Sequence, residues 1–270
     1  VSHALKSLDF LVVQDIFLTE TAMLADVVLP AASFAEKNGT FTNTERRTQL
    51  VRKAVEPPGQ SKTDLEIITE LSRHIGYPMH YAAPQDVMQE IAALTRIYHG
   101  VTYDRLQEHG LQWPVPSLDH PGTQVLHENG QFTCGLGWFT PVEYHPPAEG
   151  PDADYPFVLT TGRRLYHYNV STFGKSAALS EQLSEELLWI HPADARQLML
   201  IDKQFVNVES RRGRIRTRIW ITDAMPPGLV WLSFHFPDAP TNQITNDAGD
   251  QITRTYEYKV CAVKISALPI

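Results

Sequence analysis

Cysteine is scarce in this chain. Cys134 and Cys261 are its only 2 in 270 residues, and they lie far apart. With no CxxC pair and no second couple, they supply neither an iron–sulfur or zinc cradle nor a disulfide framework. Both are expected to be buried free thiols in a reducing compartment, the cytoplasm being the default. Long apolar runs are missing too: none approaches the roughly 18 residues that a bilayer requires, so no membrane segment is expected in this chain. Positive charge is in deficit, with 23 Lys and Arg against 31 Asp and Glu and a net charge of -8, which argues against a nucleic-acid partner. The 11 histidines are scattered; His3, His74, His80, His99, His109, His120 and His127 show no metal-ligand spacing. There is no HExxH helix, Walker loop, GxGxxG or GxSxG elbow, and no internal repeat. The chain opens at Val1, almost inside its first strand, and reads as a piece of something longer. Its lack of a leader therefore says little about targeting, and a twin-arginine signal further upstream stays compatible with it.

What is present is the composition of a soluble globular protein, 43% hydrophobic and 20% charged, long enough for one large or two ordinary domains. Residues 1–110 read as α/β. Leu8-Asp9-Phe10-Leu11-Val12-Val13 ends at Gln14-Asp15, and Asp26-Val27-Val28-Leu29-Pro30 is a second short apolar run. A short helix is expected between them, over residues 19–25. Strand, helix and strand so close together predict a parallel βαβ unit, whose ligands gather beyond the carboxyl ends of the strands. Gln14, Asp15 and Thr19 would then sit where a nucleotide-like group docks. Residues 36–47 are polar and turn-rich, and Thr48 to Val51 is extended. Thr63 with Glu66 fits a capping box, Leu65, Ile68, Leu71 and Ile75 mark one helical face, and Gly76 with Pro78 ends the helix. Residues 84–96 form a second amphipathic stretch, carrying Val87, Ile91 and Leu94. From 111 to 154 prolines recur and the pattern dissolves, so this stretch reads as a linker or arm and holds the domain boundary.

Residues 155–270 read as β. Short runs follow one another: Phe157 to Leu159, Glu186 to Ile190, Phe205 to Ser210, Arg214 to Ile221, Leu229 to Phe234 and Tyr258 to Ile265. One small helix starts at His191-Pro192. Spaced by turn signals, these strands predict a closed barrel rather than an open sheet. Arg214, Arg216 and Arg218 alternate along one strand face, a pattern expected of a solvated surface.

The stretch densest in chemistry is Thr160-Thr161-Gly162-Arg163-Arg164-Leu165-Tyr166-His167-Tyr168-Asn169. It follows a buried strand and offers hydroxyl, guanidinium, imidazole and phenol within one loop, with a glycine for close backbone approach. That set suits a polar, anionic, ring-containing ligand; a plain surface loop would carry the same residues solvated. His235 beyond a strand end, Asn242 in a polar loop, and Tyr258-Lys259 at a strand entrance are further candidates. No catalytic constellation is complete.

Taken together, Phe10 to Phe17, Thr19-Glu20-Thr21-Ala22, Ala25 to Pro30, Glu36-x-x-Gly39-Thr40-Phe41-Thr42-Asn43, Glu45-Arg46-Arg47, Ala54 to Pro57 and Lys62-Thr63-Asp64 are ordered as in a known family. The order continues through Thr161-x-Arg163-x-x-x-His167-Tyr168, Asn242 and Glu257 to Val263. The chain resembles the molybdopterin-guanine-dinucleotide oxidoreductases, and most nearly the carboxy-terminal half of formate dehydrogenase catalytic (alpha) subunits. The resemblance runs over nearly the whole chain and is weakest in its proline-rich middle.

The resemblance implies the tail of a Rossmann-like α/β domain followed by a six-stranded double-psi β-barrel. It implies a bis-molybdopterin guanine dinucleotide holding molybdenum or tungsten, with Gln14, Asp15 and Thr19 near a guanosine, Thr161, Arg163, His167 and Tyr168 over pterin and pyrophosphate, and Asn242, Tyr258 and Lys259 completing the contacts. The family's 4Fe-4S cysteines, its Cys or selenocysteine metal ligand and its catalytic His and Arg have no match here, and neither cysteine takes those roles. This chain alone is thus expected to catalyse nothing. Its implied partners are an N-terminal half of the same enzyme, an iron–sulfur or diaphorase subunit, and formate and carbon dioxide as substrates. Rival readings are a nitrate or other oxo-transfer reductase on the same scaffold, a cofactor-less homologue such as the large iron–sulfur subunit of NADH dehydrogenases, and a protein-binding barrel using its arginine face.

Overall fold

The computed structural model describes residues 2–167 and 177–268. They fall into two units, Val1–Thr140 and Pro141–Ile270.

In the first unit, helix α1 (Ser2–Lys6) precedes strand β1 (Val12–Asp15), which pairs in parallel with β2 (Val27–Pro30), Val12 opposite Val27 and Asp15 opposite Pro30. The expected βαβ unit is present, but its helix shrinks to a single 3-10 turn, Ala22–Leu24. The first strand also starts later than the apolar run, because Leu8 and Phe10 lie outside the pairing. Strand β3 (Gly39–Thr42) forms an antiparallel hairpin with β4 (Arg47–Val51). Sequence alone reads residues 36–47 as polar and turn-rich; within them the β-branched and aromatic Thr40-Phe41-Thr42 take the strand geometry that suits them. The turn between them is made by Asn43, whose side-chain oxygen accepts from the backbone N–H of Glu45 and Arg47.

Helix α2 (Asp64–His74) starts on the expected capping box, with Thr63 accepting from Glu66 N and Glu66 accepting from Thr63 N. Gly76 just past it has φ +78°, the left-handed conformation that glycine takes without strain. The expected apolar face does not turn inward. Ile68, Leu71 and Ile75 are 48%, 51% and 71% exposed, while Ile67, Thr69 and Ser72 are buried. Periodicity locates a stripe and not its cover. Helix α3 (Pro84–Leu94) likewise buries Met88 and Ala92 and leaves Leu94 exposed.

Helix α4 (Tyr103–Leu106) and strand β5 (Leu111–Gln112) complete this unit, whose core is Met88, Val101, Leu106, Leu111 and Val115. The start of the stretch read as a linker is therefore built in. Gln112 pairs with Arg47, and the Arg46 guanidinium donates to the carbonyls of Trp113, Thr123 and Gln124 while lying 5.6 Å over the Trp113 ring. One arginine at φ +68° supplies the donors that a proline-rich segment cannot find in a sheet.

The second unit is a closed barrel with strand order β10-β6-β11-β8-β9-β7. Its elements are β6 (Phe157–Gly162), α5 (Ala177–Gln182), β7 (Leu187–Ile190), α6 (Pro192–Gln197), β8 (Phe205–Glu209), β9 (Arg214–Ile221), β10 (Leu229–Ser233) and β11 (Cys261–Ala267). Leu159, Leu188, Val206, Val208, Ile219, Val230, Leu232 and Val263 fill it from all six strands. The two-residue period is obeyed in β9: Ile215, Thr217 and Ile219 point in, while Arg214 and Arg216 point out. Outside, Arg214 pairs with Glu209, Arg218 with Glu185, and Arg216 lies over Phe205. The last strand begins at Cys261 rather than Tyr258, because Glu257 to Val260 close a turn. Cys261 is buried as expected; Cys134 is exposed, contrary to expectation.

Residues 149–152, also read as linker, clamp onto the barrel. Glu149 accepts from Arg212 at 2.5 and 2.9 Å and from Ala262 N at 2.5 Å, and Arg211 pairs with Asp152. The Arg212 hydrogen bonds hold the Glu149 carboxyl below the usual glutamate range, against burial, with the Ala262 N–H adding to them. A carboxylate depressed in the fold stabilises above its unfolded pKa, and that contribution disappears as pH falls through its folded value. Acid unfolding of this unit should therefore begin later in Glu149→Gln relative to its own neutral-pH stability, measured by circular dichroism from pH 7 to 3. An unchanged profile would contradict the clamp.

Candidate functional site

Strand directions decide which polar residues can meet. Strands β6 and β10 are parallel neighbours, and β11 runs antiparallel to β6. The ends of β6 and β10 and the start of β11 thus lie at one end of the barrel. There the Thr161 hydroxyl donates to Tyr258 O at 3.0 Å, and Lys259 Nζ donates to Thr161 O at 2.5 Å. These residues, 97 and 98 positions apart in the chain, are one cluster. Phe234 meets the Tyr258 ring edge-on at 5.4 Å. An ammonium has three donors, and that of Lys259, an exposed residue, spends one of them on the carbonyl.

Gly162, the last residue of β6, lets the Trp231 ring approach the backbone; a Cβ there would stand 2.4 Å from Trp231 Nε1. Arg163 is exposed and Arg164 is buried. His167 is fully buried, its ring 4.0 Å from that of His235 and 5.7 Å from that of Phe236. Both His167 ring nitrogens lack a hydrogen-bond partner among the described residues. Burial, and after it the Arg164 charge, hold its pKa below the ordinary imidazole value, with Glu186 opposing. Tyr168 lies outside the described residues. Asn242 is exposed on the turn Thr241–Gln243, whose Thr241 hydroxyl is fixed to Ser233 O at 2.6 Å. Cys261 accepts from Asn246 N, and burial raises its thiol, which keeps it inert.

In the first unit the three candidates sit at the end of β1. Asp15 accepts from Phe17 N at 2.9 Å and Thr19 from Ala22 N at 3.2 Å, so both shape the turn after the strand. Gln14 donates to Asp64 at 2.6 Å, and Lys37 donates to the other carboxylate oxygen. Burial pushes the Asp64 carboxyl up, but these two hydrogen bonds outweigh it and the net shift is downward. The Gln14 amide also carries an acceptor oxygen. Among the described residues no group of His, Cys, Asp and Glu is placed to hold a metal ion.

Two family models match this chain: Molybdopterin oxidoreductase over residues 1–74 and Molydopterin dinucleotide binding domain over residues 157–262. The chain is 49% identical over 272 residues to the F420-dependent formate dehydrogenase subunit alpha of Methanocaldococcus jannaschii, covering 99% of this chain and 40% of that one. It belongs to the molybdopterin oxidoreductases. Formate dehydrogenase H of Escherichia coli is 35% identical over 99% of this chain and 38% of its own length. The assimilatory nitrate reductase catalytic subunit of Bacillus subtilis is 38% identical over 98% and 39%. The chain thus spans about 40% of the length of these three relatives. Among solved structures, acetylene hydratase from Pelobacter acetylenicus superposes with a TM-score of 0.72 over 96% of this chain and 40% of that one, at 18% identity, a likeness of fold.

The residues present fit such a dinucleotide. Arg163 and Lys259 offer cationic donors at one barrel end, and His167 brings two buried nitrogens without a hydrogen-bond partner among the described residues. Such unsatisfied groups cost free energy unless a ligand or water meets them. What residue-by-residue reading missed was the support: Arg164, Glu186 and Asp64. Glu186 stands directly before the apolar run Leu187 to Ile190, an acidic residue at a strand entrance, and that was its only local signal.

Proposed function

We propose that this chain is the carboxy-terminal, cofactor-holding part of a molybdenum- or tungsten-dependent formate dehydrogenase that oxidises formate to carbon dioxide. Its candidate contacts for a bis-molybdopterin guanine dinucleotide are Gln14, Asp15, Thr19, Thr161, Arg163, His167, Tyr168, Asn242, Tyr258 and Lys259. Arg163 and Lys259 hold pyrophosphate oxygens by charge-assisted hydrogen bonds. The side-chain oxygens of Gln14 and Asp15 accept from the donor edge of a guanine. His167 and Asn242 orient the ring system, and Thr161 with Tyr258 sets the backbone beneath it. When bound, the cofactor supplies the two-electron redox chemistry, while the protein binds and orients it. The reading implies a 4Fe-4S cluster held by an N-terminal part of the same enzyme, which would serve as electron carrier, and an iron–sulfur or diaphorase subunit as partner, in the cytoplasm. Among the described residues no helix is long and apolar enough to cross a membrane.

The observation that carries this reading is the polar rim at the barrel end, in a chain 49% identical to a formate dehydrogenase alpha subunit. A nitrate reductase is the second reading, supported by the 38% identity to the Bacillus subtilis enzyme; turnover of formate against nitrate by the purified enzyme separates the two. In the complete enzyme, Arg163→Ala with His167→Ala should lose metal content and formate oxidation together. Arg163→Ala alone should weaken cofactor retention by about 10- to 100-fold, the worth of ~1.5–3 kcal/mol for a hydrogen bond to a charged group. Unchanged metal loading and turnover would overturn the assignment of that loop.

A further inference from the structure

Glu186 immediately precedes β7, and its carboxylate is deep in the barrel. Oε1 accepts from Arg164 at 2.6 Å and from Leu187 N at 3.2 Å, while Oε2 accepts from Ser233 N at 3.2 Å and from the Ser233 hydroxyl. The side chains of the ion pair are 8% and 1% exposed for Arg164 and Glu186. The Glu186 carbonyl accepts from Thr217 of β9 at 2.9 Å. Arg164 also donates to Leu187 O at 3.3 Å and lies 4.8 Å over the Trp231 ring and 5.7 Å over Trp189. One carboxylate therefore binds the residue after Arg163 and the last residue of β10.

Those two points are where the barrel hands over to its loops. The backbone pairing of β6 with β10 runs out at Gly162 opposite Ser233. Beyond it one segment carries Arg163 and His167, and the other carries His235 and Asn242. Ser233 passes the constraint on, since His235 N donates to its hydroxyl at 3.3 Å and its carbonyl accepts from Thr241. A buried ion pair is a weak source of stability, because well-packed apolar side chains of similar volume serve as well or better. What apolar side chains cannot do is fix direction at both strand ends. We infer that Glu186 is a positioning residue, whose carboxylate holds the segments after β6 and β10 in register with each other so that their polar side chains meet one ligand.

This inference rests on the reading of those segments as dinucleotide contacts, and its test separates the two. Two variants are needed: Glu186→Gln, which keeps volume and hydrogen bonding to Ser233 but loses the charge, and Arg164→Met with Glu186→Leu, which refills the site with apolar side chains and keeps the fold. Hydrogen exchange is followed by mass spectrometry on the complete enzyme freed of its dinucleotide, and retained guanosine monophosphate and molybdenum are measured on the loaded enzyme. Exchange should rise together in residues 163–167 and 234–242 in both variants and stay unchanged in the β8–β9 hairpin. Dinucleotide retention should fall roughly tenfold, as is common when a group orienting a ligand-binding residue is removed. The His167 imidazole, followed by NMR, should titrate lower in Glu186→Gln, since that carboxylate is the group opposing the downward shift. Faster exchange with unchanged retention would uphold the positioning role and count against the dinucleotide reading. Unchanged exchange in the double variant would overturn the positioning role, whatever the retention.

Discussion

Truncation of Leu188 to alanine should destabilise the barrel by about 3–5 kcal/mol, the cost of deleting a fully buried large aliphatic side chain and leaving a cavity. Leu188 has no solvent exposure and is surrounded by Leu159, Ile190, Ile219, Val230 and Leu232, each equally sealed. Every neighbour lies on a strand closed into the barrel, so the walls have little freedom to collapse into the space. On a unit of this size the loss corresponds to a melting temperature lower by roughly 10–20 °C. Leu136→Ala is the comparison, because that side chain is 82% exposed and its removal should stay within about 0.5 kcal/mol. Thermal unfolding followed by circular dichroism reads both. Equal shifts in the two variants would mean that the barrel interior is not packed as described.

The second large effect is expected at the buried ion pair. Arg164→Met leaves the Glu186 carboxylate inside the barrel without its counter-charge, at a cost of about 3–5 kcal/mol. Adding Glu186→Leu should recover most of that loss, because the pair is then replaced by apolar volume rather than broken. Urea unfolding at neutral pH reads the parent, the single variant and the double variant. A small loss in Arg164→Met, or no recovery in the double variant, would show that Glu186 finds another partner.

Much of the molecule could be read from residues close together in the chain. The capping box of Thr63 and Glu66, the left-handed Gly76, the β8–β9 hairpin and the short helix at Pro192 all depend on neighbours within a few positions. The closed barrel followed from the number and spacing of short alternating runs. The misreadings share one cause, which is that they turn on partners far away. Strand β3 was hidden among polar residues until β4 paired with it, and residues 111–124 looked structureless because their donor, Arg46, is up to 78 positions distant. The stripe of Ile68, Leu71 and Ile75 was visible, but what faces it is no property of the helix.

The same division runs through the candidate site. Thr161, Arg163, His167, Asn242, Tyr258 and Lys259 could be named from residue type and from resemblance to a family, since hydrogen-bonding capacity belongs to the side chain. Residue order also settled charge and the number of barrel strands, set by composition and by a period of two residues. Only the folded barrel could bring Lys259 to Thr161, send Arg163 outward and its neighbour Arg164 inward, and seat Glu186 between two strand ends. Direction and burial arise from how strands close on one another, and closure is a relation between distant segments that no local pattern contains.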